Sequence, residues 1–365
     1  MSGAKICVVI GRSRHKMMLA EMLEAHRQGA ELLELRLDYL ARPPDIKRLL
    51  ENKRCELVAT VRRASDGGRW AGREEQRLLL LRQAIVSGGF EYVDLETDVA
   101  DSIRRFKNVK RIVSYHNLDA MPDDLDAIHD RMCAQDADIV KIAVPVQHPC
   151  DNLRLLGLVK DAPKPTIAIG LGELGLPSRI LGAKFGSPFT YASFNPERTM
   201  APGLPTFTSL RHVYPYEQIG KDTRVFAVVG DPVAHSLGPQ IHNAMYRKLA
   251  VNAVYIPLHV TEDQFPETIR DYALVVPVDG YSITLPHKQR AMHYGHLQDE
   301  SVRRSGAANT LVREGDQFHA YNTDYAAARD SLLANLPVAQ PNSPALRESL
   351  RVLVLGAGGV ARAVA

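Results

Sequence analysis

The chain has 365 residues, a net charge of +3, and 45% hydrophobic and 24% charged residues. Those are the proportions of a soluble globular protein with room for two domains and part of a third, and so small a net charge gives no case for nucleic acid as a partner. Four scattered cysteines without CxxC spacing argue against a disulfide frame or a zinc site, and no apolar run approaches about 18 residues, so no membrane partner is expected and the expected place is the cytoplasm.

The first two hundred residues alternate strand and helix signals. Strands are expected at 6–10, 31–37, 57–62, 92–96, 111–116, 139–144, 166–171 and 189–194, with helices at 16–28, 74–86, 125–133 and 151–159 between them. Eight strands in a βα rhythm over about 200 residues suit a (β/α)8 TIM barrel, assigned to 1–218; a doubly wound open sheet is the alternative. Polar residues at strand C-terminal ends favour the barrel, because barrel sites are built there. They are Glu34 with Arg36, Arg62, Glu96, His116 and Lys141, with Arg179 in the loop after strand seven. Lys141 is the oddity of the apolar run 138–145, where it shares a face with Ile139 and Ala143. Such a lysine is either paired with a buried carboxylate, or held unprotonated as a nucleophile. Taken alone, the paired reading leads.

From 224 the pattern restarts, with strands at 225–230, 254–258 and 280–284 and a helix at 239–249. The stretch 224–335 is read as a second domain, and 335–349, rich in Pro, Asn and Ser, as a hinge. A strand at 351–355 then feeds Gly356-Ala357-Gly358-Gly359-Val360-Ala361, a GxGxxA dinucleotide fingerprint in its proper strand-to-helix context. Residues 350–365 thus read as the first strand-turn of a Rossmann domain, with Gly356, Gly358, Gly359 and Ala361 as cofactor-binding residues. A full βαβ unit needs about 30 residues, so the chain as given is expected to be a poor dehydrogenase.

Glu34-Leu35-Arg36-Leu37-Asp38, Thr60-Val61-Arg62 with Gly67-Gly68, Ser114-Tyr115-His116, Val140-Lys141 and Ser178-Arg179 occur in one order along 5–216, followed by Phe185-Gly186-Ser187, Thr190-Tyr191-Ala192 and Ala201-Pro202-Gly203. This set resembles type I 3-dehydroquinate dehydratases. The resemblance implies loss of water from 3-dehydroquinate through a Schiff base at Lys141, with no cofactor. A lysine imine turns an α-carbanion into an enamine, and His116 can take the α-proton and protonate the leaving hydroxyl. Read alone, His116 is as well a satisfied core histidine, and the arginines ordinary surface residues. By resemblance Arg179 clamps the substrate carboxylate, while Glu34, Arg36, Arg62 and Asp66 bind the substrate around Lys141 and His116. Asp66 stands where the family usually has Glu, so its partnership with His116 is left open. Leu204 and Met200 replace a usual Gln and Ser, so the closing loop is expected to make fewer polar contacts.

Val229-Gly230-Asp231-Pro232, His235-Ser236, His242-Asn243, the run from Ser282 to Lys288, Gly306-Ala307-Ala308-Asn309-Thr310 and Asn322-Thr323-Asp324 resemble the substrate domain of shikimate dehydrogenases. The resemblance implies Lys288 and Asp324 as the catalytic pair, with Ser236, Thr284 and Asn309 holding substrate and NADP(H) as cofactor. Asp324 and Ser236 also suit helix caps. The two histidines, His235 and His242, are read as structural, and no metal is expected. Gly238 replaces a usual serine, and the missing volume suggests a different acid such as quinate.

The expected whole is thus α/β: a barrel followed by a shikimate-dehydrogenase substrate domain and the start of a Rossmann domain. Its expected partners are small carboxylates (3-dehydroquinate, 3-dehydroshikimate and shikimate) in the route to aromatic amino acids, and a homodimer is allowed. The alternatives are a non-catalytic sensor of quinate or shikimate, and a Schiff-base aldolase on the same barrel.

Overall fold

The computed structural model describes residues 4–195, 197 and 200–335. The expected hinge, the strand at 351–355 and the fingerprint residues Gly356, Gly358, Gly359 and Ala361 lie outside them. The chain divides into two compact units, one of residues 1–223 with 240–254 and one of 224–239 with 255–365. The expected second domain begins at 224, where the second unit begins, and residues 240–254 group with the first unit by compactness. Within that unit Thr223 Oγ1 donates to Asn252 Oδ1 at 2.8 Å and an Arg247 guanidinium N–H donates to the His212 carbonyl.

In the first unit the strands are β1 Lys5–Ile10, β2 Leu32–Arg36, β3 Glu56–Thr60, β4 Tyr92–Glu96, β5 Lys110–His116, β6 Ile139–Pro145, β7 Thr166–Leu171 and β8 Phe189–Ser193. Helices α1 His15–Arg27, α2 Ile46–Leu50, α3 Glu74–Ser87, α4 Leu125–Ala134, α5 Asp151–Val159 and α6 Leu176–Phe185 alternate with them. Only a 3-10 turn at Ala100–Ser102 separates β4 from β5. All pairs are parallel in the order β7-β6-β5-β4-β3-β2-β1-β8. The sheet is a nearly closed eight-stranded barrel: among the described residues no ladder joins β7 to β8. This excludes the doubly wound open sheet, whose two edge strands would not include a β1–β8 pair.

Barrel strands are covered on both faces, so they read as apolar runs rather than as alternation. β2, β4, β7 and β8 are buried at every position. One interior layer joins Tyr92, Phe189 and Tyr191, with edge-to-face ring pairs at 5.9 and 5.6 Å, and Ile112, Ile139 and Ile167 pack with them. Burying one Phe side chain contributes about 1.5–3 kcal/mol, so this layer is a firm floor. Above it the inward positions of β2, β4, β5 and β6 turn polar: Glu34, Asp94, Ser114 and Lys141.

The second unit holds a mixed six-stranded sheet in the order β10-β9-β11-β13-β14-β12. Its strands are β9 Arg224–Gly230, β10 Ala253–His259, β11 Gly280–Ile283, β12 Gly295–Gln298, β13 Thr310–Glu314 and β14 Gln317–Tyr321. The helices after β9 are α7 Gly238–Lys248, most of which groups with the first unit, and α8 Phe265–Val275, α9 Lys288–Ala291, α10 Glu300–Ser305 and α11 Thr323–Asn335 of the second. The sequence reading lacks β12 to β14. β13 and β14 form a hairpin at Gly315, whose φ of +62° suits glycine. Their half-exposed, partly charged strands hide the apolar signal that reveals barrel strands.

Candidate active site

Lys141 is central to β6, opposite Ser114 of β5 and Ile167 of β7. Its side chain is buried. Nζ donates to Asp94 Oδ2 at 3.0 Å, lies 3.7 Å from Glu34 Oε1 and stands 4.1 Å over the Tyr191 ring. Lys141 also lines a cavity of about 460 Å³ at the C-terminal ends of the strands. Pairing and access therefore coexist at this lysine.

Asp94 joins Lys141 to the arginine above it. Its Oδ1 accepts from Ser114 Oγ at 2.6 Å and is ion-paired with Arg62 at 2.6 Å. Burial alone would raise the Asp94 pKa; the Arg62 and Lys141 charges outweigh it and hold the carboxyl well below the usual range. Arg62 also donates to Glu96 at 2.9 Å, and Glu96 accepts from the fully buried Arg77 of α3 at 2.6 Å. Arg36 is forked onto Asp38 at 2.9 and 2.8 Å, and Thr60 donates to Glu34 at 2.8 Å. These groups enter the cavity already oriented.

Arg62 lies two residues past β3, not on a strand ending at 62. There the Arg62 carbonyl accepts from Trp70 N at 3.1 Å, so the chain has left the ladder for a loop.

His116 ends β5 and lines the cavity, with Nδ1 buried and without a hydrogen-bond partner. Burial, with the Arg62 and Lys141 charges, pushes its pKa well below the ordinary histidine value. Asp66 lines the same cavity, but its carboxylate accepts from Arg63 Nε at 2.7 Å, and Arg63 is forked onto Asp98 as well. The partnership left open between Asp66 and His116 is thus not formed.

Arg179 lies in the first turn of α6 rather than in the loop after β7, and a tight β7–α6 turn positions it. Ser178 Oγ accepts from Gly170 N at 2.9 Å and donates to Gly175 O at 2.8 Å, and Arg179 Nε donates to Gly170 O at 3.0 Å. One terminal nitrogen of Arg179 is buried without a partner, and burial pulls the guanidinium down to about 9. A buried cation without a counter-ion is a ready place for an anion.

The opposite wall is apolar: Leu118, Leu171, Met200, Ala201, Pro202 and Leu204. The loop bearing the last four is tied down at Gly203. Its φ is +66°, a Cβ there would meet Gly172 O at 2.0 Å, and Gly172 N donates to Pro202 O at 3.1 Å. Leu204 packs into the barrel interior, which agrees with the expected loss of polar contacts.

In the second unit Lys288 Nζ donates to Asp324 Oδ2 at 2.6 Å. Main-chain bonds gather the neighbours: Ala308 N to Lys288 O at 2.8 Å, Ile283 N to Asn309 O at 2.7 Å and Thr284 N to Val229 O at 2.9 Å. Asn309 Nδ2 donates to Thr323 Oγ1 at 2.8 Å, beside Asp324 at the start of α11. Thr284, Lys288, Asn309 and Asp324 thus meet at the C-terminal ends of β9 and β11. Ser236 Oγ accepts from Gly238 N at 3.2 Å, in the loop after β9. A Cβ at Gly238 would stand 3.0 Å from the Tyr255 ring and 3.1 Å from Ser236 Oγ, so Tyr255 already bounds the volume that the glycine was expected to open.

Among the polar groups of the barrel site that escaped the sequence reading as site residues are Thr60, Asp94, Ser114 and Tyr191. Asp94 had a signal. It sits two residues before Glu96 in one strand, and so shares the inward face of a residue already singled out.

Comparison with known proteins also finds two parts in the chain. The family model for type I 3-dehydroquinase matches residues 6–221, and that for the shikimate dehydrogenase substrate binding domain matches 228–311. A chloroplastic bifunctional 3-dehydroquinate dehydratase/shikimate dehydrogenase of Arabidopsis thaliana is 34% identical over 378 residues, covering 99% of this chain and 62% of the relative. The chain thus spans under two thirds of that relative's length. A 3-dehydroquinate dehydratase of Methanopyrus kandleri is 36% identical over 200 residues, 53% of this chain and 91% of its own. The crystal structure of 3-dehydroquinate dehydratase from Geobacillus kaustophilus shares 27% identity at a TM-score of 0.52, covering 57% of this chain and 88% of that one. The dehydratase and dehydrogenase part of S. pombe AroM, at 22% identity and a TM-score of 0.50, covers 100% of this chain and 71% of that one, and shares the fold.

Proposed function

Because the chain belongs to the type I 3-dehydroquinase family, we propose that its barrel converts 3-dehydroquinate to 3-dehydroshikimate through an imine at Lys141. One observation carries this reading: a buried lysine lines one cavity with a histidine and an arginine that each keep a buried nitrogen without a hydrogen-bond partner. Arg179 takes the substrate carboxylate, which removes the cost of its buried charge. Lys141 adds to the ketone, water leaves, and the cationic imine acidifies the adjacent C–H. Neutral His116 accepts that proton and returns it to the departing hydroxyl as the double bond forms. Hydrolysis of the imine then frees the product and the lysine.

For the second unit the proposed reaction is reduction of 3-dehydroshikimate to shikimate, so that the first product is the second substrate. The cofactor expected is NADP(H), which supplies the hydride when bound; the residues expected to hold it, at 356–361, lie outside the described residues. Lys288, held by Asp324, gives the proton to the oxygen that becomes a hydroxyl. Ser236, Thr284 and Asn309 bind the carboxylate and hydroxyls. No helix among the described residues is long and apolar enough to cross a membrane, and four free cysteines suit a reducing compartment such as the cytoplasm.

The test is to incubate the protein with 3-dehydroquinate, reduce with borohydride and map the adduct by mass spectrometry. The label is expected on Lys141. Lys141→Ala is expected to abolish dehydration, and near-normal turnover by that variant would defeat the mechanism. Tight binding of 3-dehydroquinate with neither turnover nor adduct is the outcome the sensing alternative requires.

A further inference from the structure

Lys141 meets two carboxylates, and they differ in kind. Glu34 lines the cavity, stands 3.7 Å from Nζ and is engaged by Thr60. Asp94 is not among the residues that line the cavity, is 2% exposed and stands 3.0 Å away. Arg62 and Ser114 fix its second oxygen. The remaining charged or titratable groups around the nitrogen are Cys7 of β1, Arg62 after β3, His116 of β5 and Tyr191 of β8; β7 presents Ile167 and Ile169. We propose that Asp94 is the fixed counter-ion of the Lys141 nitrogen, holding first its ammonium and then the protonated imine.

The assignment rests on the imine chemistry proposed above. In the net exchange a lysine ammonium and a ketone give a protonated imine and water. A C–N bond replaces the C–O bond, two nitrogen protons leave with the oxygen, and one positive charge stays on nitrogen. An anion that keeps its own proton state serves both ends of that exchange. Asp94 meets this need because Arg62 holds it ionised, so it does not take the lysine proton as a base would. The protons move on the cavity side, where His116 stands. Fixed charges aimed at a site of constant charge cost no reorganisation during the reaction.

The experiment compares the full chain with Asp94→Asn and Asp94→Glu. First, Lys141 is amidinated by methyl acetimidate across a pH series and quantified by mass spectrometry. Asp94→Asn is expected to move the midpoint of Lys141 labelling down by about one pH unit or more, since the ammonium loses its anion. Asp94→Glu, which keeps the charge, is expected to stay near the parent midpoint. Second, 3-dehydroquinate is trapped with cyanoborohydride, which reduces the protonated imine selectively. Asp94→Asn is expected to lower trapping at neutral pH about tenfold, the effect of a one-unit shift. Superimposable amidination profiles for the parent and Asp94→Asn would overturn the assignment, and so would a Glu variant that shifts as far as Asn. If amidination shifts while the parent traps no 3-dehydroquinate, the dehydratase reading fails and takes the imine half of the assignment with it, while the ammonium half stands.

Discussion

His116 stands at the end of β5 with its Nδ1 buried and unpaired, and its pKa is pushed well below the ordinary value. That shift has a consequence for stability. Below about pH 6.5 the unfolded chain protonates this histidine while the folded barrel does not. The unfolded state then binds more protons, so stability is fully present above about pH 6.5 and is lost as pH falls toward the depressed folded value. The slope from one such group is at most about 1.4 kcal/mol per pH unit. Urea unfolding of the parent is expected to weaken from about pH 7.5 to about pH 5.5, and His116→Gln to flatten that part of the slope. An identical slope in both proteins would show that His116 is not the source. Asp94, also depressed, acts in the same direction at lower pH. Asp66 pairs with Arg63, three residues before it, and His116 Nδ1 has no hydrogen-bond partner.

Among the elements, the loop from Met200 to Leu204 and the strands beneath it follow different rules. The strands are fixed by burial on two faces, and their apolar runs made them legible. The loop is fixed by one close approach, Gly203 against Gly172. At φ +66° an L side chain costs roughly 1–2 kcal/mol before any clash, and here the clash is with backbone. Gly203→Ala is therefore expected to raise KM for 3-dehydroquinate about tenfold or more, with the far-UV spectrum unchanged; an unaltered KM would mean that the loop does not close over the substrate. The hairpin of β13 and β14 taught the opposite lesson. Its strands, half-exposed and partly charged, are too polar to read as strands without their neighbours. They exist because β11 and β12 supply partners for their backbone.

For the whole molecule, the barrel unit includes residues 240–254 as well as 1–223. A chain ended at 254 is accordingly expected to dehydrate 3-dehydroquinate with the kcat of the full chain. A fall of tenfold or more in a folded 1–254 protein would place part of the dehydratase in 255–335. The order of the motifs and the eight-strand rhythm were legible from residue order, because each rests on a local pattern or a spacing; the family was reached only through the resemblance of those motifs to known ones. Lys141, His116 and Arg179 were legible too, as the groups at one end of the barrel. Which carboxylate holds Lys141, which arginine lacks a counter-ion and where Asp66 goes were decided only by the tertiary structure. The first of these is a pairing between strands 20 to 50 residues apart in sequence, as Asp94 with Ser114 and Lys141 is. Its energy depends on burial and on distances of a few ångströms. Sequence fixes which charges are present; the closing of the barrel decides which of them meet.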